Sequence, residues 1–220
     1  FDLTRLRTYE GTPLRFEEDV LYTEFGNAHN IAINEESGFG YAIGVTSAER
    51  CGSRQATGLH MIDLRNPKNP EFAGCYVDPA TEFSSAVNVG TGYIHDTQCV
   101  DYSGPDQDHH NKELCFSSAE GAIVITDVTD KNNPTTLSAH SEPAMEYSHQ
   151  GWLTEDQRYF YINDEGDEPQ GLVDGTRTLI FDLEDLDDPI LVGEHISTEV
   201  STDHNLYIKG NLMYQSNYVA

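Results

Sequence analysis

The feature that most constrains this chain is a repeat with fixed internal spacing. Gly58-Leu59-His60-Met61-Ile62-Asp63-Leu64 is followed by Pro70, Ala122-Ile123-Val124-Ile125-Thr126-Asp127-Val128 by Pro134, and Thr178-Leu179-Ile180-Phe181-Asp182-Leu183 by Pro189. The Asp-to-Pro distance is seven residues each time. A truncated copy opens the chain as Phe1-Asp2-Leu3, so the aspartates Asp2, Asp63, Asp127 and Asp182 fall 61, 64 and 55 residues apart. A self-similar period of this length means stacked supersecondary units that share a core. The apolar run before each Asp is short and β-branched, as in a buried strand, and the prolines that follow forbid a helix interior. The repeated Asp is read as a turn residue whose carboxylate accepts loop amides.

A second feature recurs in step. His29, His95, His149 and His204 each stand roughly 20 to 30 residues after a repeat Asp, and each precedes a short strand, a polar turn and an aromatic-rich strand such as Tyr159-Phe160-Tyr161-Ile162. The last strand of the unit is seen in Phe72-Ala73-Gly74-Cys75 and Ile190-Leu191-Val192-Gly193. Four short antiparallel strands per unit of about 55–64 residues describe an all-β fold, a β-propeller of about four blade-equivalents within residues 1–220, with no separate second domain. The phase, opening inside a third strand and closing after a second, leads us to expect further blades on both sides.

Composition narrows the function. Twelve Lys plus Arg against 38 Asp plus Glu give a net charge of −26, and no basic patch for a nucleic-acid backbone can be assembled from so few cations. The same charge disfavours anionic lipid, and no apolar run approaches the ~18 residues of a membrane span. Hydrophobic residues at 37%, with 12 Tyr and 9 Phe, are too many for a disordered acidic tail. Cys51, Cys75, Cys99 and Cys115 contain no C-x-x-C pair. An even count in such a chain points to two disulfides and an oxidising compartment. Among three connectivities, sequential pairing (Cys51–Cys75 and Cys99–Cys115) is expected. The alternative is four buried thiols in a cytosolic protein.

The Gly58–Leu64 run with its Pro turn, His95-Asp96-Thr97-Gln98-Cys99, His149-Gln150-Gly151-Trp152-Leu153-Thr154-Glu155-Asp156 and Asp203-His204-Asn205 resemble the LVIVD-repeat proteins of the choice-of-anchor B family. The resemblance spans essentially the whole chain. It implies a bacterial β-propeller, longer than this chain, that is secreted or anchored at the cell surface, and it carries no established catalytic activity.

In a propeller the first strand of each blade lines the central channel, so four histidines at equivalent positions face a common space. Neutral imidazole binds transition metals well, and Asp96, Asp164, Glu165 and Asp203 lie close enough in sequence to act as ligands or to orient the rings. The competing reading has each histidine bonded to a neighbouring blade's backbone. Two acidic loops, Asp101–Asp108 and Asn163–Glu168, offer oxygens suited to calcium, although neither has EF-hand spacing. His109-His110 reads as an exposed loop pair. No nucleophile elbow, phosphate loop or His-Glu-x-x-His is present, and no organic cofactor is expected. The expectation is an extracellular binding or assembly module with a protein or surface partner, another copy of itself included, holding calcium or a transition metal. A metal-dependent enzyme using the His29/His95/His149/His204 cluster is the alternative.

Overall fold

The computed structural model describes residues 1–45, 49–51, 58–77 and 93–218. Strands β1 (Asn30–Asn34), β2 (Phe39–Ile43), β3 (Leu59–Asp63) and β4 (Glu71–Tyr76) form the first blade. Strands β5 (Asp96–Asp101), β6 (Glu113–Ser118), β7 (Ile123–Asp127) and β8 (Thr135–His140) form the second. The third holds β9 (Ser148–Leu153), β10 (Tyr159–Asp164), β11 (Arg177–Asp182) and β12 (Ile190–Ile196). A hairpin, β13 (Thr202–Lys209) with β14 (Leu212–Tyr218), follows as the two inner strands of a fourth unit. Every pairing between named strands is antiparallel, and among the described residues helix is confined to three short 3₁₀ turns. This is the expected β-propeller architecture.

The repeat Asp closes the third strand of each blade and makes the same local bond every time. Asp63, Asp127 and Asp182 accept the backbone N–H two residues on, from Arg65, Thr129 and Glu184, each at 3.0 Å. A carboxylate that satisfies its own downstream amide starts the turn toward the proline and the fourth strand. One residue before each Asp, the third and fourth strands slip register: at Met61/Ile62, Ile125/Thr126 and Ile180/Phe181. A bulge at one fixed position bends and twists each outer strand alike. The opening copy departs from this pattern. Asp2 makes the same bond, to Thr4 N–H at 3.0 Å, but leads into a 3₁₀ turn over Leu3–Thr8 that buries nothing. Its turn chemistry is local and survives without a preceding strand, so the expected third strand at Phe1-Asp2-Leu3 is absent.

Apolar residues on both faces of each sheet pack between blades. Tyr41, Ile43, Leu59 and Met61 of the first blade meet Cys115 and Val124 of the second. Leu114, Phe116, Ile123 and Ile125 of the second meet Phe160, Ile162, Leu179 and Phe181 of the third. Close approach explains one glycine: a Cβ on Gly74 would lie 1.8 Å from the carbonyl oxygen of Lys131.

The first two blades also share a buried polar hub that the repeat pattern does not reveal. Glu113 takes Asn34 Nδ2 at 2.9 Å, Ser37 Oγ at 2.6 Å, the Tyr41 hydroxyl at 2.5 Å and Lys131 Nζ at 2.6 Å. These donors outweigh the cost of burial and hold its carboxyl below the usual range. Lys131 also lies 4.2 Å from the centre of the Phe39 ring.

Both expected disulfides are present. Cys99 faces Cys115 across β5 and β6, and Cys51 closes onto Cys75 in β4. Against the latter lies the fully buried His60, with Nδ1 3.4 Å from Cys51 Sγ and Nε2 2.7 Å from the Tyr22 hydroxyl. Burial, helped by nearby Arg50 and opposed by Glu24, pushes its pKa down to about 4.

Three outcomes follow from these groups. Lys131→Met leaves Glu113 ionised without its counter-charge, and unfolding in urea followed by circular dichroism will show a loss of about 3 kcal/mol. Arg65→Ala, which removes an exposed partner of Asp63, will leave the midpoint unchanged. His60 refuses a proton that the unfolded chain accepts near pH 6.5, so its contribution is complete above that pH and is lost as pH falls toward 4. The urea midpoint of His60→Gln will therefore fall less steeply than that of the parent between pH 6.5 and 5.

Candidate metal centre

The four in-phase histidines form a column at the head of the inner strands. Ring centroids are 4.2 Å apart for His29–His95, 4.3 Å for His95–His149 and 4.3 Å for His149–His204. Backbone bonding sets this spacing. His95 Nδ1 lies 2.9 Å from the carbonyl oxygen of His149, and His149 Nδ1 lies 2.8 Å from that of His204. A carbonyl only accepts, so Nδ1 carries the proton in both rings and Nε2 is left as a bare lone pair. Burial keeps both neutral: His95 is pulled below its usual pKa, and His149 is lowered to about 3 with further help from the adjacent imidazoles.

The pattern changes at the last member. His204 Nδ1 meets a carboxylate instead of a carbonyl, 3.0 Å from Glu165 Oε1, while Glu165 Oε2 stands 3.5 Å from His149 Nε2. Tyr218 donates its hydroxyl to the same carboxylate. One donor atom each from His149, Glu165 and His204 lies within 4.8 Å of the other two. Two imidazoles and a carboxylate at that separation suit a transition metal such as zinc. The backbone bond to His149 Nδ1 is the kind of outer support that fixes a ligating ring's tautomer.

The other expected ligands are engaged elsewhere. His29 is exposed and next to His95, outside the three-residue cluster. Asp96 accepts Asn30 Nδ2 and the Thr97 N–H, both at 2.8 Å, and so ties the first blade to the second. Asp164 takes the amides of Glu146 and Tyr147 and the guanidinium of Arg177 at 2.9 Å, which places it in an ion pair buried in the third blade. Asp203 accepts the Asp164 N–H at 2.9 Å, and burial beside Glu168 and Asp167 pushes its pKa up to about 9.

The acidic loops are committed in part, although Asp167 Oδ1 and Glu168 Oε2 are buried without a hydrogen-bond partner. Asp106 caps Asp108 N–H and reaches Leu186 N–H at 3.0 Å, while Asp101 accepts Asn34 Nδ2. Arg177 supplies the cation for Asp164 and Asp167. Among the described residues, neither loop brings three carboxylates within 4.8 Å of one another. His109 is buried, with Nδ1 3.0 Å from Lys112 Nζ, so the expectation of an exposed His109-His110 pair is corrected: the chain folds back to place this ring under Asp187. Cys51, His60 and Cys75 also cluster, but the sulfurs are joined and offer no thiolate.

Sequence reasoning missed Glu113, Lys131 and Arg177. The carboxylate and cation partners of each arrive from other strands and loops. The only available signal was that Arg and Lys are scarce, 12 cations against 38 acids, and two of those few are buried on carboxylates.

No protein-family model matches the chain, and no curated protein does either. Among solved structures, the β-propeller domain of Cps50 (Swd1) from Myceliophteria thermophila is similar, at 12% identity and a TM-score of 0.43. That similarity covers 87% of this chain and 67% of the other. The antiparallel four-stranded blades, stacked face to face around one line of inner strands, make this chain a β-propeller.

Proposed function

We propose that the chain is a module of an extracellular or cell-surface propeller that binds a divalent transition metal at His149, Glu165 and His204 and engages a protein or surface partner. The single observation that carries the metal reading is the convergence of three donor atoms within 4.8 Å at the one place where the histidine column meets a carboxylate. Two disulfides suit an oxidising compartment, and among the described residues no helix is long and apolar enough to cross a membrane. The resemblance to surface-anchored LVIVD-repeat proteins supports the same setting. Calcium is the less suited occupant of this cluster, because two of its three donors are nitrogen.

The donor count keeps one alternative in view. Three protein ligands leave a tetrahedral ion one position short, which is the arrangement of catalytic rather than structural zinc sites. A metal-dependent enzyme at this site would require turnover that disappears with the ion.

Calorimetric titration of the metal-stripped chain with zinc chloride will show one saturable site. His149→Ala, His204→Ala and Glu165→Gln will each weaken it at least 100-fold. His95→Ala, which removes a neighbour rather than a donor, will change it less than tenfold. Zinc binding that is unaltered in Glu165→Gln, a nearly isosteric change, would overturn the assignment.

A further inference from the structure

The inner strands enclose a second feature, a cavity of about 360 Å³ below the histidine column, lined by β1, β5, β9 and β13. That volume lies within the ~300–1,000 Å³ range of small-molecule sites. Trp152 and Tyr207 form its corner, with ring centroids 4.8 Å apart and planes at 66°. Tyr207 is 49% exposed, and Ile31 and Ile33 on the same wall are 50% and 54% exposed. The wall thus presents aromatic and apolar surface to the channel.

Its polar atoms divide into used and unused. Gln150 has its whole amide occupied, accepting Leu206 N–H at 2.8 Å and donating to Leu206 O at 3.1 Å on the next inner strand, and donating to Gly151 O at 3.2 Å on its own. Asp96 has both oxygens occupied by N–H donors. Gln98 uses only its oxygen, which accepts Leu153 N–H at 2.8 Å. Among the described residues, Gln98 Nε2, the indole N–H of Trp152 and the hydroxyl of Tyr207 make no hydrogen bond within the protein. Among the described residues no Lys or Arg lines the cavity to neutralise an anionic ligand. With Asp96 committed, Glu35 is the only carboxylate among the described lining residues left to attract a cation.

We propose that this channel wall binds a neutral oligosaccharide, with a pyranose ring seated in the Trp152–Tyr207 corner and its hydroxyls bonded to Gln98 Nε2, Trp152 Nε1 and the Tyr207 hydroxyl. A pyranose has one apolar C–H face and a rim of hydroxyls. That combination matches rigid aromatic surface bordered by free donors, since an aromatic side chain offers contact area at little entropic cost. The metal centre is not needed for this site.

Trp152 is the single tryptophan of the chain, so its fluorescence reports on the corner directly. The intact chain would be titrated with cellohexaose, maltohexaose, laminarihexaose and xylohexaose, with hexagalacturonate and tetramethylammonium as charged probes. At least one neutral hexasaccharide will shift the emission saturably, and both charged probes will leave it unchanged. Tyr207→Ala will weaken the response at least tenfold. Gln98→Glu, which keeps the acceptor for Leu153 but removes the donor, will weaken it about fivefold with an unaltered circular dichroism spectrum. Silence from all four neutral sugars, a shift from tetramethylammonium or hexagalacturonate in their place, or a response unaltered in Gln98→Glu would overturn the proposal.

Discussion

Every other feature of this molecule depends on how one blade holds the next at the channel. The tie is a hydrogen bond from an imidazole N–H to the backbone carbonyl of the equivalent histidine one blade further on. Because donor and acceptor belong to the same repeat position, the bond fixes register as well as proximity: a slip of one residue would send the ring to the other face of its strand. Side-chain amides repeat the lesson lower in the channel. Asn34, Gln98 and Gln150 each bond across to the following blade, at Asp101 and Glu113, at Leu153 and at Leu206. Apolar packing between sheets supplies most of the area buried, yet it is non-directional and tolerates sliding. The polar ties make the stacking specific.

This arrangement constrains the chemistry available at the column. A ring that spends its Nδ1 proton on a carbonyl is locked as one tautomer, and burial among other imidazoles keeps it uncharged. The middle of the column, His95 and His149, is therefore a pair of neutral nitrogen bases in fixed orientation. Most of the column is structural. Only at Glu165 does a carboxylate approach two ring nitrogens of the column at once. The candidate site is therefore a local departure in the side chains around the column, of the kind expected where function is grafted onto a self-consistent scaffold.

How much of this was legible in the chain follows from the range of each interaction. The turn at Asp63, Asp127 and Asp182 is closed within two residues, so the spacing alone revealed it. The same locality misled at Asp2, whose turn forms without its strand. The histidines were visible as a period, and their convergence followed from the geometry of a propeller. Which of them meet a carboxylate was not visible, because Glu165 reaches His204 across 39 residues. Asp96, Asp164 and Asp203 looked equally available in sequence. Their commitment to Asn30, Arg177 and a backbone amide depends on partners 66, 13 and 39 residues away.

The surplus of negative charge is tied to the same logic. A chain with 38 acids and 12 cations cannot pair them all, so where it places the cations is informative. Lys131 and Arg177 are both nearly buried, one on Glu113 between the first two blades and the other on Asp164 and Asp167 within the third. Breaking either pair would strand an ionised group away from water, which costs far more than an exposed pair contributes. Among the described residues no Lys or Arg lines the channel cavity, and the ligands it suits are the ones that need none: a metal ion at its histidine rim and uncharged hydroxyls along its wall.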